Sequence, residues 1–129
     1  FHLVRLQESK AAFEEITKSF PESEWAEKSE FEIGNILVAD GNRIQNQDTK
    51  QATQRFKDAM QKFQDFQKKY PTSSLKSQAQ FEIGGIYEEL EQLDAAQKVY
   101  EELKADYPQP QLVELKLKRI LDRKRQKNL

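Results

Sequence analysis

The residues that could do chemistry in this chain are one histidine and several pairs of carboxylates. His2 lies at the start of the sequence, and acidic residues occur in adjacent pairs such as Glu14–Glu15 and Glu88–Glu89. Two carboxylates act as a dyad only when they can share one proton. Adjacent helical residues point roughly 100° apart, so we expect these pairs to form a solvated face. We interpret His2 as a bystander at a fraying helix end.

Other classes of site are missing from the sequence as well. It has no cysteine, which excludes disulfides, cysteine-rich zinc sites and thiol nucleophiles. The pair Gly84–Gly85 lies inside a helical pattern rather than in a phosphate-binding loop. No apolar run approaches the roughly 20 residues that a membrane-spanning helix requires. The sequence therefore predicts no enzyme activity, no metal site, no cofactor and no transmembrane segment in this chain.

Charge is distributed unevenly along the chain. The formal net charge is −1, yet residues 116–129 contain seven Lys or Arg side chains and one acid, Asp122. Leu117, Ile120 and Leu121 recur in this basic segment at helical spacing, so we interpret it first as an amphipathic helix that covers a hydrophobic face. Docking of an acidic partner is one alternative. Contact with nucleic acid or an anionic surface is another.

Periodic aromatic and aliphatic residues predict helices throughout the chain, and we expect these residues on the inner helix faces. They include Phe20, Trp25, Leu112 and Leu121 and, as a stripe on the third helix, Ala52, Phe56, Ala59, Phe63, Phe66 and Tyr70. Three aromatic–proline pairs separate the helices, because the residue before a proline is pushed out of the α region. The pairs are Phe20–Pro21, Tyr70–Pro71 and Tyr107–Pro108. We expect six helices, at about residues 3–19, 24–40, 48–70, 74–90, 94–106 and 111–127.

Helix ends are marked by residues that cap or break helices. Ser23 and Ser73 are expected N-caps, and Asp48 with Gln51 resembles a capping box. The segment Asp40–Gly41–Asn42 predicts the end of the second helix. The prolines lie 50 and 37 residues apart, and we place the excess between about residues 39 and 51. We expect a polar loop there, followed by a third helix that projects roughly two turns beyond its counterpart.

A short motif repeats along the chain. Phe31–Glu32–Ile33–Gly34 recurs as Phe81–Glu82–Ile83–Gly84. A glycine inside a helix costs about 1 kcal/mol relative to alanine. We expect that Gly84 compensates by letting Ala96 of the facing helix approach closely.

The residues Ile83, Gly84, Tyr87, Ala96, Tyr100 and Pro108 stand at the spacings of a known signature, and the chain resembles the tetratricopeptide repeat family. The resemblance implies an all-α fold, a tetratricopeptide-like solenoid of helical hairpins with about six helices and a right-handed superhelix. We expect one domain over residues 1–129, as a fragment of a longer protein. Its parts are a partial repeat (1–22), a repeat with an insertion near 39–51 (23–72), a second repeat (73–108) and a capping helix (109–129).

Two segments also resemble a variant of this family from the bacterial envelope. FPESEWAEKSEFEIG and YPTSSLKSQAQFEIGGIY are similar to repeats of the outer-membrane assembly lipoprotein and Tol-Pal coordinator type. This resemblance implies a location in the periplasm or cell envelope, with the cytoplasm as the alternative.

The family resemblance also implies where a partner would bind. The first helices of successive hairpins line a concave groove, and we expect the polar groove residues to be accessible. Phe31 and Phe81 stand where the family's carboxylate-clamping members have lysine, so recognition of a C-terminal carboxylate is disfavoured. The alternative for both rings is packing between neighbouring helices. The candidate partner-binding residues are Phe31, Asn35, Val38, Gln78, Phe81 and Glu88.

These expectations favour a non-catalytic scaffold that binds a protein or peptide segment in its groove, within a bacterial envelope complex. One alternative is a structural or oligomerisation module that docks onto another domain of its parent protein. A second alternative is contact with nucleic acid or an anionic surface through the basic C-terminal helix.

Overall fold

The computed structural model describes the backbone of residues 2–128 and the side chains of residues 5–128, so the side chain of His2 lies outside the described residues. The described chain consists of α-helices joined by short turns and contains no strand. This confirms the predicted all-α class with helical hairpins, whereas the right-handed superhelix stays a prediction. The helices are α1 (His2–Ser19), α2 (Glu24–Ile44), α3 (Thr49–Lys69), α4 (Lys76–Glu89), α5 (Leu93–Leu103) and α6 (Pro110–Lys127).

The helices form two compact units, Phe1–Ser73 and Ser74–Leu129. In the first unit, α2 packs against both α1 and α3. In the second unit, α5 packs against both α4 and α6. The predicted single domain and its repeat boundaries stay predictions.

Two of the expected helix caps are present. The hydroxyl of Ser23 accepts a hydrogen bond from the backbone N–H of Ala26 at 3.1 Å. The carboxylate of Asp48 accepts one from the backbone N–H of Gln51 at 3.0 Å. Each bond satisfies a backbone donor that the first turn of a helix leaves unpaired.

The expected cap at Ser73 is wrong. The hydroxyl of Ser73 donates to the carboxylate of Glu27 on α2. Helix α4 begins three residues later, at Lys76, and its N-cap residue Leu75 makes no side-chain capping bond. Ser73 therefore ties the end of the first unit back to α2 instead of starting α4.

In the α2–α3 hairpin and in the α4–α5 hairpin, a glycine on the first helix faces an aromatic ring on the second helix. A Cβ atom on Gly34 would lie 2.7 Å from ring atoms of Phe63, and one on Gly84 would lie 2.8 Å from ring atoms of Tyr100. Both rings are fully buried. The ring of Tyr100 is therefore the group nearest to where a Cβ atom of residue 84 would lie, and the close approach of Ala96 stays a prediction.

The predicted end of the second helix at Asp40–Asn42 is wrong, because Gly41 repeats this ring contact inside α2. The glycine is buried, and a Cβ atom there would lie 2.8 Å from the ring of Phe56. No described glycine has a positive φ, so Gly41 does not adopt the conformation of a helix-ending glycine. Helix α2 continues to Ile44.

Most of the extra residues near 39–51 are consequently helical. Helices α2 and α3 have 21 residues each, whereas their counterparts α4 and α5 have 14 and 11. The expected extension of α3 is present. The expected polar loop is reduced to a turn at residues 45–48, because α2 is extended as well.

The core follows the predicted stripe on α3, but three other surfaces differ from expectation. Ala52, Phe56, Ala59, Phe63 and Phe66 are all buried on α3. The side chains of Phe20 and Trp25, expected on apolar helix faces, are 63% and 68% exposed. On α6 the buried residues are Val113 and Ile120, while Leu112 and Leu121, predicted to be inside, are exposed. Val113 and Ile120 lie seven residues apart on one face, and Leu121 is rotated away from it by one residue.

We predict that Gly84→Ala destabilises the protein, because the added methyl group would overlap the buried ring of Tyr100. The expected loss is about 1–3 kcal/mol in the free energy of unfolding, as for other overpacked cores. Urea denaturation followed by circular dichroism measures it.

The matched control is Gly85→Ala at the next position. A Cβ atom on Gly85 would lie 3.8 Å from the hydroxyl of Tyr100, which is ordinary contact. This variant should be neutral or more stable by up to about 1 kcal/mol, since alanine favours the helix. Equal effects of the two substitutions would contradict the ring contact.

Candidate partner-binding surface

The candidate residues of the first unit lie on α2 and differ in accessibility. Phe31 is only 6% exposed, and its ring meets those of Phe63 and Phe66 edge-on at centroid distances of 5.5 and 5.7 Å. Asn35 and Val38, one and two turns further along, are half-buried. Phe31 therefore packs between neighbouring helices, which is the alternative given for it in the sequence analysis. Asn35 and Val38 are the more accessible candidates on α2.

The candidate residues of the second unit lie on α4, and Phe81 is the central one. Its half-buried ring stacks on Tyr107 at 4.8 Å and meets Tyr100 edge-on at 5.6 Å. The ammonium of Lys116 on α6 lies 5.8 Å from the centroid of the same ring. Gln78, one turn earlier on α4, is exposed. An oriented aromatic ring and an exposed amide therefore share one side of α4.

Glu88 is not accessible, so the expectation for this polar residue is wrong. Its side chain is buried. Arg119 on α6 donates from Nη2 to both carboxylate oxygens at 2.8 Å, and from Nε to Oε1 at 3.1 Å. The hydroxyl of Tyr100 donates to Oε2 at 3.0 Å. Glu88 is buried because these donors satisfy its charge.

Burial raises the pKa of Tyr100, and the neighbouring Glu88 carboxylate raises it further. The phenol therefore keeps its proton in alkaline solution as well, and it remains a hydrogen-bond donor to Glu88. Glu88 therefore joins α4, α5 and α6 from the inside of the second unit.

Further ion pairs join α6 to the turn after α4 and to the first turn of α5. Glu91 accepts from Lys127 at 2.9 Å and pairs with Arg123, and Asp94 pairs with Lys124. The hydrogen bond from Lys127 lowers the pKa of Glu91, with a further contribution from Arg123. Because this pKa is lowered in the folded state, the pairing stabilises the fold above the ordinary value of 4.5 and is lost as the pH falls through the lowered value.

Sequence reasoning missed this ion-pair cluster, although its signal was present. Glu88, Glu91 and Asp94 recur at three-residue steps, and bases at positions 116, 119, 123, 124 and 127 recur at the spacing of one helix face. From the sequence we predict an amphipathic helix here and do not assign acids of the same chain to its bases. Most of these bases form ion pairs with acids of the second unit.

The described residues offer neither a metal site nor a membrane-spanning helix. Between 5 and 128, no group of three or more His, Cys, Asp or Glu side chains could hold a metal ion. None of the described helices is both long and apolar enough to cross a bilayer. A cavity of about 240 Å³ in the first unit is lined by side chains of α1, α2 and α3, with the ion pair of Asp40 and Arg55 on its wall.

We predict that Arg119→Ala lowers the free energy of unfolding by about 1–3 kcal/mol, because it leaves the buried Glu88 carboxylate short of donors. The half-exposed position of Arg119 limits the loss to less than that of a fully buried ion pair. The control is Arg125→Ala on the same helix, whose guanidinium is 77% exposed and should change stability by less than about 0.5 kcal/mol. Urea titrations at low protein concentration measure the free energy of unfolding of both variants. Similar losses would contradict the role assigned to Glu88.

Comparison with known proteins supports the repeat architecture. The tetratricopeptide repeat family model matches residues 43–73 and 78–110. No curated protein matches the chain. The second match covers the α4–α5 hairpin, and the first begins near the end of α2 and covers α3. The helical hairpins and the two matches together support the predicted tetratricopeptide architecture, a repeat type that is typical of protein–protein interaction scaffolds and generally non-catalytic.

Proposed function

We propose that this protein is a non-catalytic scaffold that binds a segment of a partner protein through the accessible faces of α2 and α4, within a bacterial cell-envelope complex. The observation that carries the proposal is the side of α4 formed by Gln78 and Phe81, inside the matched repeat at residues 78–110. Aromatic anchors beside polar groups dominate the binding energy of many protein interfaces.

The residues around Phe81 hold its ring in a fixed orientation before a partner binds. Stacking on Tyr107 fixes the orientation of its ring, so little side-chain freedom is lost when a partner docks. Lys116 adds a positive charge beside the ring. A partner segment with an apolar side chain would match the ring, and a carboxylate next to it would have to replace the long pair of Lys116 with Glu88 at 3.9 Å.

The α2 face supports the proposal with a smaller surface. Asn35 offers an amide whose Nδ2 lies 3.5 Å from a carboxylate oxygen of Glu32, a long hydrogen bond that a partner could replace. Val38 adds apolar area one turn further along. Phe31 and Glu88 contribute by fixing the helices beneath these faces rather than by touching a partner.

The envelope location is supported by the resemblance of the two proline-led segments to envelope repeats. The alternative of nucleic-acid contact is less well supported, because Lys116, Arg119, Arg123, Lys124 and Lys127 all pair with acids of the same unit. A phosphate backbone would have to compete with these pairs.

The test uses a photo-crosslinking amino acid placed at Gln78 or at Val38 in the full-length protein, expressed in its native host. We predict that both positions crosslink to the same partner band, because both side chains lie on the proposed binding faces. Mass spectrometry of the band identifies the partner and its cellular compartment.

The control places the same crosslinker at Gln61, an exposed residue of α3. Equal crosslinking at Gln61, or no band at either test position, would overturn the proposed faces. A partner that resides in the cytoplasm would overturn the envelope location and leave the binding faces standing. Phe31→Ala is unsuitable as a test variant, because truncating a buried phenylalanine costs about 3–5 kcal/mol of stability.

A further inference from the structure

The outer side of α6 presents apolar side chains that α5 does not cover. Leu121 is 45% exposed and Leu117 is half-buried. Both line an open groove of about 720 Å³ along α5 and α6. This side of α6 is distinct from the side whose bases pair with Glu88, Glu91 and Asp94.

The charges that accompany these leucines follow an order along the helix. The groove is lined on α6, in sequence, by an acid, a leucine, a base, a leucine, an acid and a base: Glu114, Leu117, Lys118, Leu121, Asp122 and Arg125. Steps of three and four residues keep these side chains on one side of the helix. We call this set the α6 stripe.

The α6 stripe is complementary, in its charges and its leucines, to a second copy of itself that runs antiparallel. A twofold axis close to residues 119 and 120 would bring Glu114 opposite Arg125 of a second copy, and Lys118 opposite Asp122. The same axis brings Leu117 opposite Leu121. One antiparallel register therefore pairs both leucines and all four charges.

From this complementarity we propose that α6 binds α6 of a second copy of this chain, antiparallel, to form a twofold-symmetric dimer. In such an interface the same surface is used by both subunits. A parallel arrangement would place Glu114 against Glu114 and Lys118 against Lys118, which like-charge repulsion disfavours.

The charges of the α6 stripe are available for this contact. Arg125 and Asp122 meet only at 3.8 Å within the helix, and their side chains are 77% and 50% exposed. Such an exposed pair contributes little to stability, so exchanging it for an intermolecular pair is feasible. Glu114 and Lys118 are also exposed.

A single pair of helices forms a small interface. Interfaces below about 1,200 Å² belong to weak or transient complexes, so we expect dissociation in the micromolar range. The pairing would present two copies of the α2 and α4 faces in one particle, and it does not depend on the function proposed for those faces.

The experiment is sedimentation equilibrium of the full chain from about 5 to 500 µM, a range that brackets micromolar dissociation. We expect a monomer–dimer equilibrium. Leu121→Asp should abolish the dimer, and Glu114→Arg or Arg125→Glu alone should each raise its dissociation constant by roughly tenfold or more, because two attractive pairs become repulsive. The double variant Glu114→Arg, Arg125→Glu should restore it.

The matched control is Glu102→Arg, an exposed residue of α5 that does not line the groove, and it should leave the dissociation constant unchanged. Circular dichroism tests whether each variant is folded. If Leu121→Asp does not fold, the outcome is decided by Glu114→Arg, Arg125→Glu and their double variant. A monomer throughout the concentration range overturns the proposal, as does a dimer that the single charge reversals leave intact. A double variant that stays monomeric overturns the antiparallel register.

Discussion

Both hairpins, α2–α3 and α4–α5, depend on a close approach of their two helices. Glycines that face aromatic rings make this approach possible. Gly34 and Gly84 leave bare backbone where Phe63 and Tyr100 pack. Each glycine costs about 1 kcal/mol of helix propensity, and burial of an aromatic ring returns more than that. Gly41 and Phe56 repeat the arrangement two turns further along α2, which is why that hairpin could be lengthened without losing its packing.

Helix α6 is held to its unit less by apolar burial and more by polar interactions. Only Val113 and Ile120 of α6 are buried, and the remaining attachment is polar, centred on the carboxylate of Glu88. Removing one partner of such a buried network leaves an unsatisfied charge, so its members depend on one another. This fixes one side of α6 within its unit while the opposite side stays available. The α4 face with Phe81 lies beside the same network and is oriented by it.

The sequence predicts the helices, their proline boundaries and the aromatic stripe of α3, because these follow from local rules of period and capping. It did not predict the continuation of α2 through Gly41, since Asp–Gly–Asn favours a helix end and the ring that packs on Gly41 belongs to Phe56 on the next helix. Burial of Glu88 was also missed, because it depends on Arg119 and Tyr100, which lie 31 and 12 residues away. The cap at Ser73 failed because a tertiary partner, Glu27, outweighed a local signal. The predicted burial of Leu121 failed because this residue lies one position away from the buried face of Val113 and Ile120.

The central claim is that glycine and ring sizes are coupled across each hairpin. It is tested most directly by a double-mutant cycle of Gly34→Ala and Phe63→Leu, measured by urea denaturation. A smaller side chain at position 63 should relieve the overlap with the added methyl group, so Gly34→Ala should cost less in the Phe63→Leu background. We predict a coupling free energy above about 1 kcal/mol. Additive effects within about 0.5 kcal/mol would contradict the account.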